Sequence, residues 1–141
     1  MPYLEWNPAF DTGIGGIDYE HHRLVDMLNE IHELMLKGAE PGETAAILAD
    51  FHALASAHFA LEEKIMRDQK YPGLAARRDT HYRLLDQVRE IMDAHETGSY
   101  RVGESLPATL KQWLMEAMGS DARMFGEIND AKLRALGLRR G

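Results

Sequence analysis

The chain has 141 residues, 45% of them hydrophobic and 28% charged, with a formal net charge of −7 and a pI of about 5.4. That is the size and composition of one globular domain, and the acidic balance argues against nucleic acid as a partner, which needs a basic surface. Cysteine is absent, which excludes disulfides, thiolate-ligated zinc and cysteine nucleophiles, and fits a reducing cytoplasm.

Residues 1–16 read as an irregular arm. Pro2, Pro8, Gly13, Gly15 and Gly16 interrupt any periodicity, while Trp6, Phe10 and Ile14 are apolar enough to hold the arm against the domain. The N-terminus has no basic region followed by an apolar run, so no signal peptide is expected. No apolar stretch is expected to span a bilayer, and no membrane partner is expected.

Four amphipathic helices follow. The first is predicted over 18–37, with Asp18 as N-cap and a seam of Ile17, His21, Leu24, Leu28, Ile31 and Met35 at helical spacing. His22 lies beside that seam and faces outward. Lys37 and Gly38 mark its end. Glu40-Pro41-Gly42-Glu43 reads as a turn before a second helix over 44–68, which stops ahead of Pro72. The third covers 74–96, on a stripe of Leu74, Arg77, His81, Leu84, Val88, Ile91 and His95. The fourth covers 105–135, with Pro107 in its first turn and a stripe through Leu110, Trp113 or Leu114, Ala117, Asp121, Met124 or Phe125, and Ile128. The last residues end in the basic pair Arg139-Arg140. No segment alternates with a period of two. The fold class is therefore all-α: an up-down-up-down antiparallel four-helix bundle with an ordered irregular N-terminal arm, one domain over 1–141.

The second helix carries the chemistry. His58 and Glu62 are four residues apart and share a face with Phe51, Leu54, Ala55, Ile65 and Met66. A carboxylate and an imidazole on a buried stripe are expensive unless they are paired or bind a metal. In the predicted topology His21, early in the first helix, and His81, early in the third, reach the same end of the bundle. Imidazole plus carboxylate without sulfur suits iron, with zinc, manganese or nickel as other candidates. A lone histidine on a stripe is more often a hydrogen-bonded core residue, but four ligand-type residues at one level are harder to dismiss. No catalytic triad, phosphate loop or dinucleotide fingerprint occurs, so a hydrolase is not expected and any catalysis would be redox chemistry at the metal. Nothing in the sequence sets the oligomeric state.

The successive motifs Ile17-Asp18-Tyr19-Glu20-His21, His58-Phe59 with Glu62-Glu63 and Met66, Tyr71-Pro72, His81 and Trp113-Leu114 resemble those of the bacterial hemerythrins. Trp6 and Gly13-Ile14 fit that family's N-terminal arm. The resemblance implies a bundle around a non-haem di-iron centre that binds dioxygen reversibly, with five histidines and two bridging carboxylates as ligands. His21, His58, Glu62 and His81 fall on the ligand positions of that pattern. The family histidine four residues before the one matched by His81 is replaced here by Arg77. In the fourth helix, ungapped alignment from Trp113 puts Ala117 and Ala122 where the family has histidine and aspartate; this register keeps more matches and is preferred. A one-residue slip would instead put Glu116 and Asp121 there.

Three outcomes follow, in order of preference. One metal is held by His21, His58, His81 and Glu62; or a modified two-metal site recruits Glu116 and Asp121; or the small residues Ala117, Gly119 and Ala122 open a cavity for haem. Arg77 either neutralises the site by pairing with Glu62 or Asp121 or stands as a charged gate beside a bound anion. Asp121 is as suited to pairing with Arg77 as to binding metal. Glu116 is read as a solvated face residue, and Glu63 as a support of the site or a surface residue. His32 and His95 fall on inner stripes too far down the bundle to share the metal. The expected function is a cytoplasmic metal-binding protein that binds dioxygen or a related diatomic such as nitric oxide at an iron site. The alternatives are a redox enzyme (peroxidase, oxidase or nitric-oxide-handling) at a non-haem or haem cofactor, or a metal-free structural bundle.

Overall fold

A computed structural model of the chain describes residues 3–97 and 106–135, with side chains placed as far as residue 128. Four helices are present, α1 (Gly15–Leu36), α2 (Pro41–Asp68), α3 (Leu74–Thr97) and α4 (Leu106–Ala135), preceded by a 3-10 turn at Pro8–Phe10. There is no strand among the described residues. Each helix packs against its neighbours in sequence, and α4 closes the ring against α1. The start of α1 meets the end of α2, and the end of α3 meets the start of α2 through a His95 Nε2–Pro41 carbonyl contact of 3.1 Å, so consecutive helices are antiparallel.

The helix starts differ from those expected, for identifiable reasons. Helix α1 begins at Gly15, and Asp18 is not its cap: its carboxylate accepts the Thr12 N–H (2.9 Å) and the Thr12 hydroxyl (2.8 Å), tying the arm to the first turn. Helix α2 begins at Pro41, not at 44. Glu40 is extended and the proline occupies the first turn, where its missing N–H has no helical partner to lose. Both helices end in a left-handed turn of the same design. Gly38 (φ 70°) ends α1, with Ala39 N–H bonded to the Leu34 carbonyl; Lys70 (φ 54°) ends α2, with Tyr71 N–H bonded to the Met66 carbonyl. Met35, expected on the buried seam, is 40% exposed in the last turn of α1. Ser105 and the pair Arg139-Arg140 lie outside the described residues.

The arm is ordered. Leu4 N–H donates to Asn29 Oδ1 (2.8 Å) and Asn29 Nδ2 donates back to the Leu4 carbonyl (3.1 Å). Leu4 and Phe10 are buried, and Trp6 stacks on the exposed His22 with ring centroids 3.6 Å apart. Helix α2 departs from the sequence expectation in one respect: by length (28 residues) and mean hydropathy (1.3 over its most apolar window) it could cross a bilayer. It is nonetheless packed between α1 and α3 and buries Thr44, His58 and Glu62 along with its apolar residues, as the core helix of a bundle does.

The apolar core is divided in two. The larger cluster includes Leu24, Phe51, Phe59, Leu84, Val88, Trp113 and Ala117. The smaller one, at the other end, contains Ile17, Met66, Met124, Phe125 and Ile128. Between them every helix contributes polar residues: His21 from α1, His58 and Glu62 from α2, Arg77 and His81 from α3, and Asp121 from α4. This polar layer, closed above and below by hydrocarbon, is where the function must be sought.

Candidate metal centre

The helical repeat builds the layer. On each helix the polar position is one turn from an apolar residue of either cluster, so the spacing that buries Ile17 and Leu24 also buries His21. His21, His58, Glu62, His81 and Asp121 are each at most 1% exposed. Groups of this kind are tolerated in hydrocarbon only when their charges and lone pairs are met by one another or by an ion.

One ligand atom from each of His21, His58, Glu62 and Asp121 falls within a group whose members all lie within 4.8 Å of one another. His21 Nε2 and His58 Nε2 are 2.9 Å apart. Asp121 Oδ2 lies 3.0 Å from the first and 3.3 Å from the second, and Glu62 Oε2 is 2.7 Å from His58 Nε2. The last contact is close without being aligned as a hydrogen bond. Neither Glu62 oxygen has a hydrogen-bond partner, and the same is true of His81 Nε2. Two imidazole nitrogens and two carboxylate oxygens converging on one point, with buried acceptors left unpaired, form a donor set that fits a divalent transition metal and lacks the sulfur that would favour softer ions.

The far sides of two of the three imidazoles are held in place, while His21 Nδ1 has no hydrogen-bond partner. His58 Nδ1–H donates to Glu20 Oε1 (3.1 Å) and His81 Nδ1–H to Glu63 Oε2 (2.8 Å), while Arg78 Nε–H donates to Glu63 Oε1 (3.1 Å). A carboxylate behind the ring fixes the tautomer that leaves Nε2 facing the centre. His81 also stacks on Phe59, with centroids 4.1 Å apart and planes 10° off parallel. Its Nε2 approaches Glu62 Oε1 at 3.4 Å but lies outside the group of four.

Arg77 faces the other side of the same carboxylates. Its guanidinium donates to Asp121 Oδ1 (2.7 Å) and to the Ser120 hydroxyl (2.7 Å), and lies 3.7 Å from Glu62 Oε1. The electrostatics follow. Burial works to lower the His58 pKa, but the close approach and negative charge of Asp121 and Glu62 outweigh it and raise that pKa to about 10. Burial likewise works to raise the Asp121 pKa, but its bonds to His21 and His58 and the His58 charge hold it well below the usual carboxylate range.

Of the residues singled out in the sequence, the structure thus groups His21, His58, Glu62 and Asp121, with His81 and Arg77 against the outer oxygens. It does not bring Glu116 to them. That side chain is exposed and lines an open groove of about 320 Å³ between α3 and α4, with Gln87, Glu90 and Gln112. Ala117 is packed in the larger apolar cluster, and Gly119 and Ala122 are half-buried. Neither register of α4 predicts this arrangement in full, because Asp121 enters the layer without Glu116. His32 and His95 are only half-buried, the first stacked on Tyr3 at 4.0 Å. Glu20 and Ser120 were not anticipated. Glu20 adjoins His21, but its partner is on another helix, and sequence spacing within one helix carries no sign of that.

Residues 12–128 match the family described as the hemerythrin HHE cation binding domain. The chain is 31% identical to a bacteriohemerythrin of Pseudomonas aeruginosa over 86% of its own length and 78% of that protein's. It is 28% identical to a bacteriohemerythrin of Stenotrophomonas maltophilia, over 94% and 86% of the two chains. A myohemerythrin of Riftia pachyptila is 27% identical over 90% of this chain and 94% of its own. The matched span takes in every residue of the polar layer and all but the last turns of a four-helix bundle built around it: the chain belongs to the hemerythrin family.

Proposed function

We propose that this protein binds iron on His21, His58, Glu62 and Asp121 and presents it to dioxygen or a related diatomic such as nitric oxide. The observation that carries this reading is the convergence of four buried ligand atoms within 4.8 Å, from three helices, with neither Glu62 oxygen hydrogen-bonded. The hemerythrin names of its relatives support dioxygen as the ligand. Iron bound there supplies a redox-active Lewis acid with positions left open for a small ligand. The chain's own residues do the rest. Glu20 orients the His58 ring, and Glu63 orients His81. The apolar clusters on either side exclude bulk water, so that a small uncharged molecule is favoured over an ion. The lack of cysteine is our ground for placing the protein in the cytoplasm.

The test is the iron content and ultraviolet-visible spectrum of the purified protein and of His58→Ala, followed by anaerobic exposure of the reduced protein to dioxygen or nitric oxide. Bound non-haem iron, its loss in His58→Ala and a spectral change on adding either gas are expected. Full stoichiometric iron in His58→Ala would put the site elsewhere. An intense Soret band would replace this reading by a haem protein on the same scaffold. No iron after reconstitution would refute it.

A further inference from the structure

Resting on the metal-binding reading above, we propose that Arg77 is the permanent second cation of this centre, so that it takes one transition-metal ion and never two. The argument starts from the two buried carboxylates, each of which faces two ways. Asp121 Oδ2 and Glu62 Oε2 approach the Nε2 atoms of His21 and His58, within 2.7–3.3 Å. Asp121 Oδ1 and Glu62 Oε1 point to the opposite side, where the Arg77 guanidinium stands 2.7 Å and 3.7 Å away and His81 Nε2 lies 3.4 Å from Glu62 Oε1. The carboxylates therefore bridge two places that want positive charge.

The two places are chemically unequal. The first has two imidazole nitrogens with lone pairs. The second has one, on His81, and a guanidinium that is always protonated and has no lone pair to give. An ion entering the second place would meet a fixed positive charge at contact distance and find only His81 as a nitrogen ligand. Arg77 is held there by α4. It bonds Asp121 and Ser120 from α4, and its side chain is only 13% exposed. Replacing it by histidine would put an imidazole one turn before His81 on the same face of α3, removing the charge and adding a ligand in one step.

The test is the number of zinc(II) or cobalt(II) ions bound per chain, by elemental analysis after dialysis and by calorimetric titration. Wild type takes one ion, Arg77→Lys keeps one because it keeps the charge, and Arg77→His takes two. Two ions in wild type would overturn the role given to Arg77 while leaving metal binding intact; none in wild type would overturn the metal-binding reading and this inference with it. One ion in Arg77→His, bound with wild-type affinity, also counts against the role given to Arg77. Arg77→Gln supplies a readout that does not depend on the histidine variant. Its metal-free form melts lower than wild type, and the rise in Tm on adding zinc(II) is larger, because both carboxylates then lack their resident counter-charge. An unchanged melting point together with an unchanged zinc-induced rise would refute the proposal.

Discussion

Asp121→Ala is the most informative single change in the layer. Asp121 is fully buried and contacts His21, His58 and Arg77 at once. Its loss leaves the guanidinium with only the Ser120 hydroxyl and a distant Glu62 oxygen, and leaves His58 with Glu62 as the one carboxylate on its inner side, beside His21. Removing one partner of a buried ion pair costs about 3–5 kcal/mol, and the lower end applies because Arg77 retains a little exposure and can relax toward solvent. For a chain of this length, about 3 kcal/mol corresponds to a fall in Tm of roughly 10 °C. Thermal unfolding of the metal-free protein reads this term without any contribution from the ion. Metal titration then reads the second effect. Loss of one of four ligands weakens binding by more than the roughly 10–100-fold seen on removing a group that only supports a ligand. Asp121→Asn, which keeps the shape and one acceptor oxygen but not the charge, falls between. A metal-free Asp121→Ala protein that melts within about 2 °C of wild type and binds zinc(II) with unchanged affinity would refute the reasoning, since both the ion pair and the ligand role would then be absent.

Two further predictions concern pH and the end of α2. The His58 pKa is raised to about 10 in the metal-free protein, so metal must displace a proton from it. Affinity for zinc(II) then falls about tenfold for each pH unit below 10, with about one proton released per ion bound, and a competition titration showing no slope between about pH 6 and 9 would contradict this. The sign for stability is the usual one: the raised His58 pKa stabilises the metal-free fold fully below its ordinary 6.5 and is lost as pH rises through about 10. The depressed Asp121 pKa stabilises above its ordinary 3.8 and is lost as pH falls further into acid. At the end of α2, Lys70 adopts φ 54° in the same turn that Gly38 forms after α1. Lys70→Gly relieves the crowding of its Cβ and stabilises the protein by about 0.5–1 kcal/mol, the larger steric gain being partly offset by the freer unfolded chain; chemical denaturation showing a loss instead would sink that account.

The candidate ligands legible in the sequence are those on an unambiguous helical stripe. His58 and Glu62 declare themselves by spacing, and His21 and His81 by falling on the seam that carries Leu24 and Leu84. Asp121 was ambiguous for a physical reason. It lies on the α4 stripe, but the two family registers of that helix differ by one residue, about 100° around the axis, and the register that keeps more of the family's matches bypasses it. The same 100° sends Glu116 to the surface. The misplaced helix starts have separate causes. Asp18 is a good capping type but spends its carboxylate on Thr12, and the stretch 40–43, which reads as a turn, already begins the helix at Pro41. Contacts between helices, such as Glu20 with His58 or Ser120 with Arg77, leave no periodic trace.

Charge counting within the layer connects the two proposals. In the metal-free protein two carboxylates, Glu62 and Asp121, face Arg77 and a protonated His58, and the formal charges of these four groups cancel. Opposite charges that cancel at contact distance lower the cost of burying so polar a layer between two apolar clusters. A divalent ion that displaced the His58 proton would leave these groups with one net positive charge. Two ions without Arg77 would leave twice that. A single positive charge in a site closed by hydrocarbon disfavours a second cation. Arg77 thereby does two things with one group: it balances the carboxylates before metal arrives, and it limits how much charge the centre accumulates afterwards. Replacing it by a neutral residue should separate these effects, lowering the stability of the empty fold while increasing its appetite for metal, and no purely structural role for Arg77 predicts that pair of opposite changes.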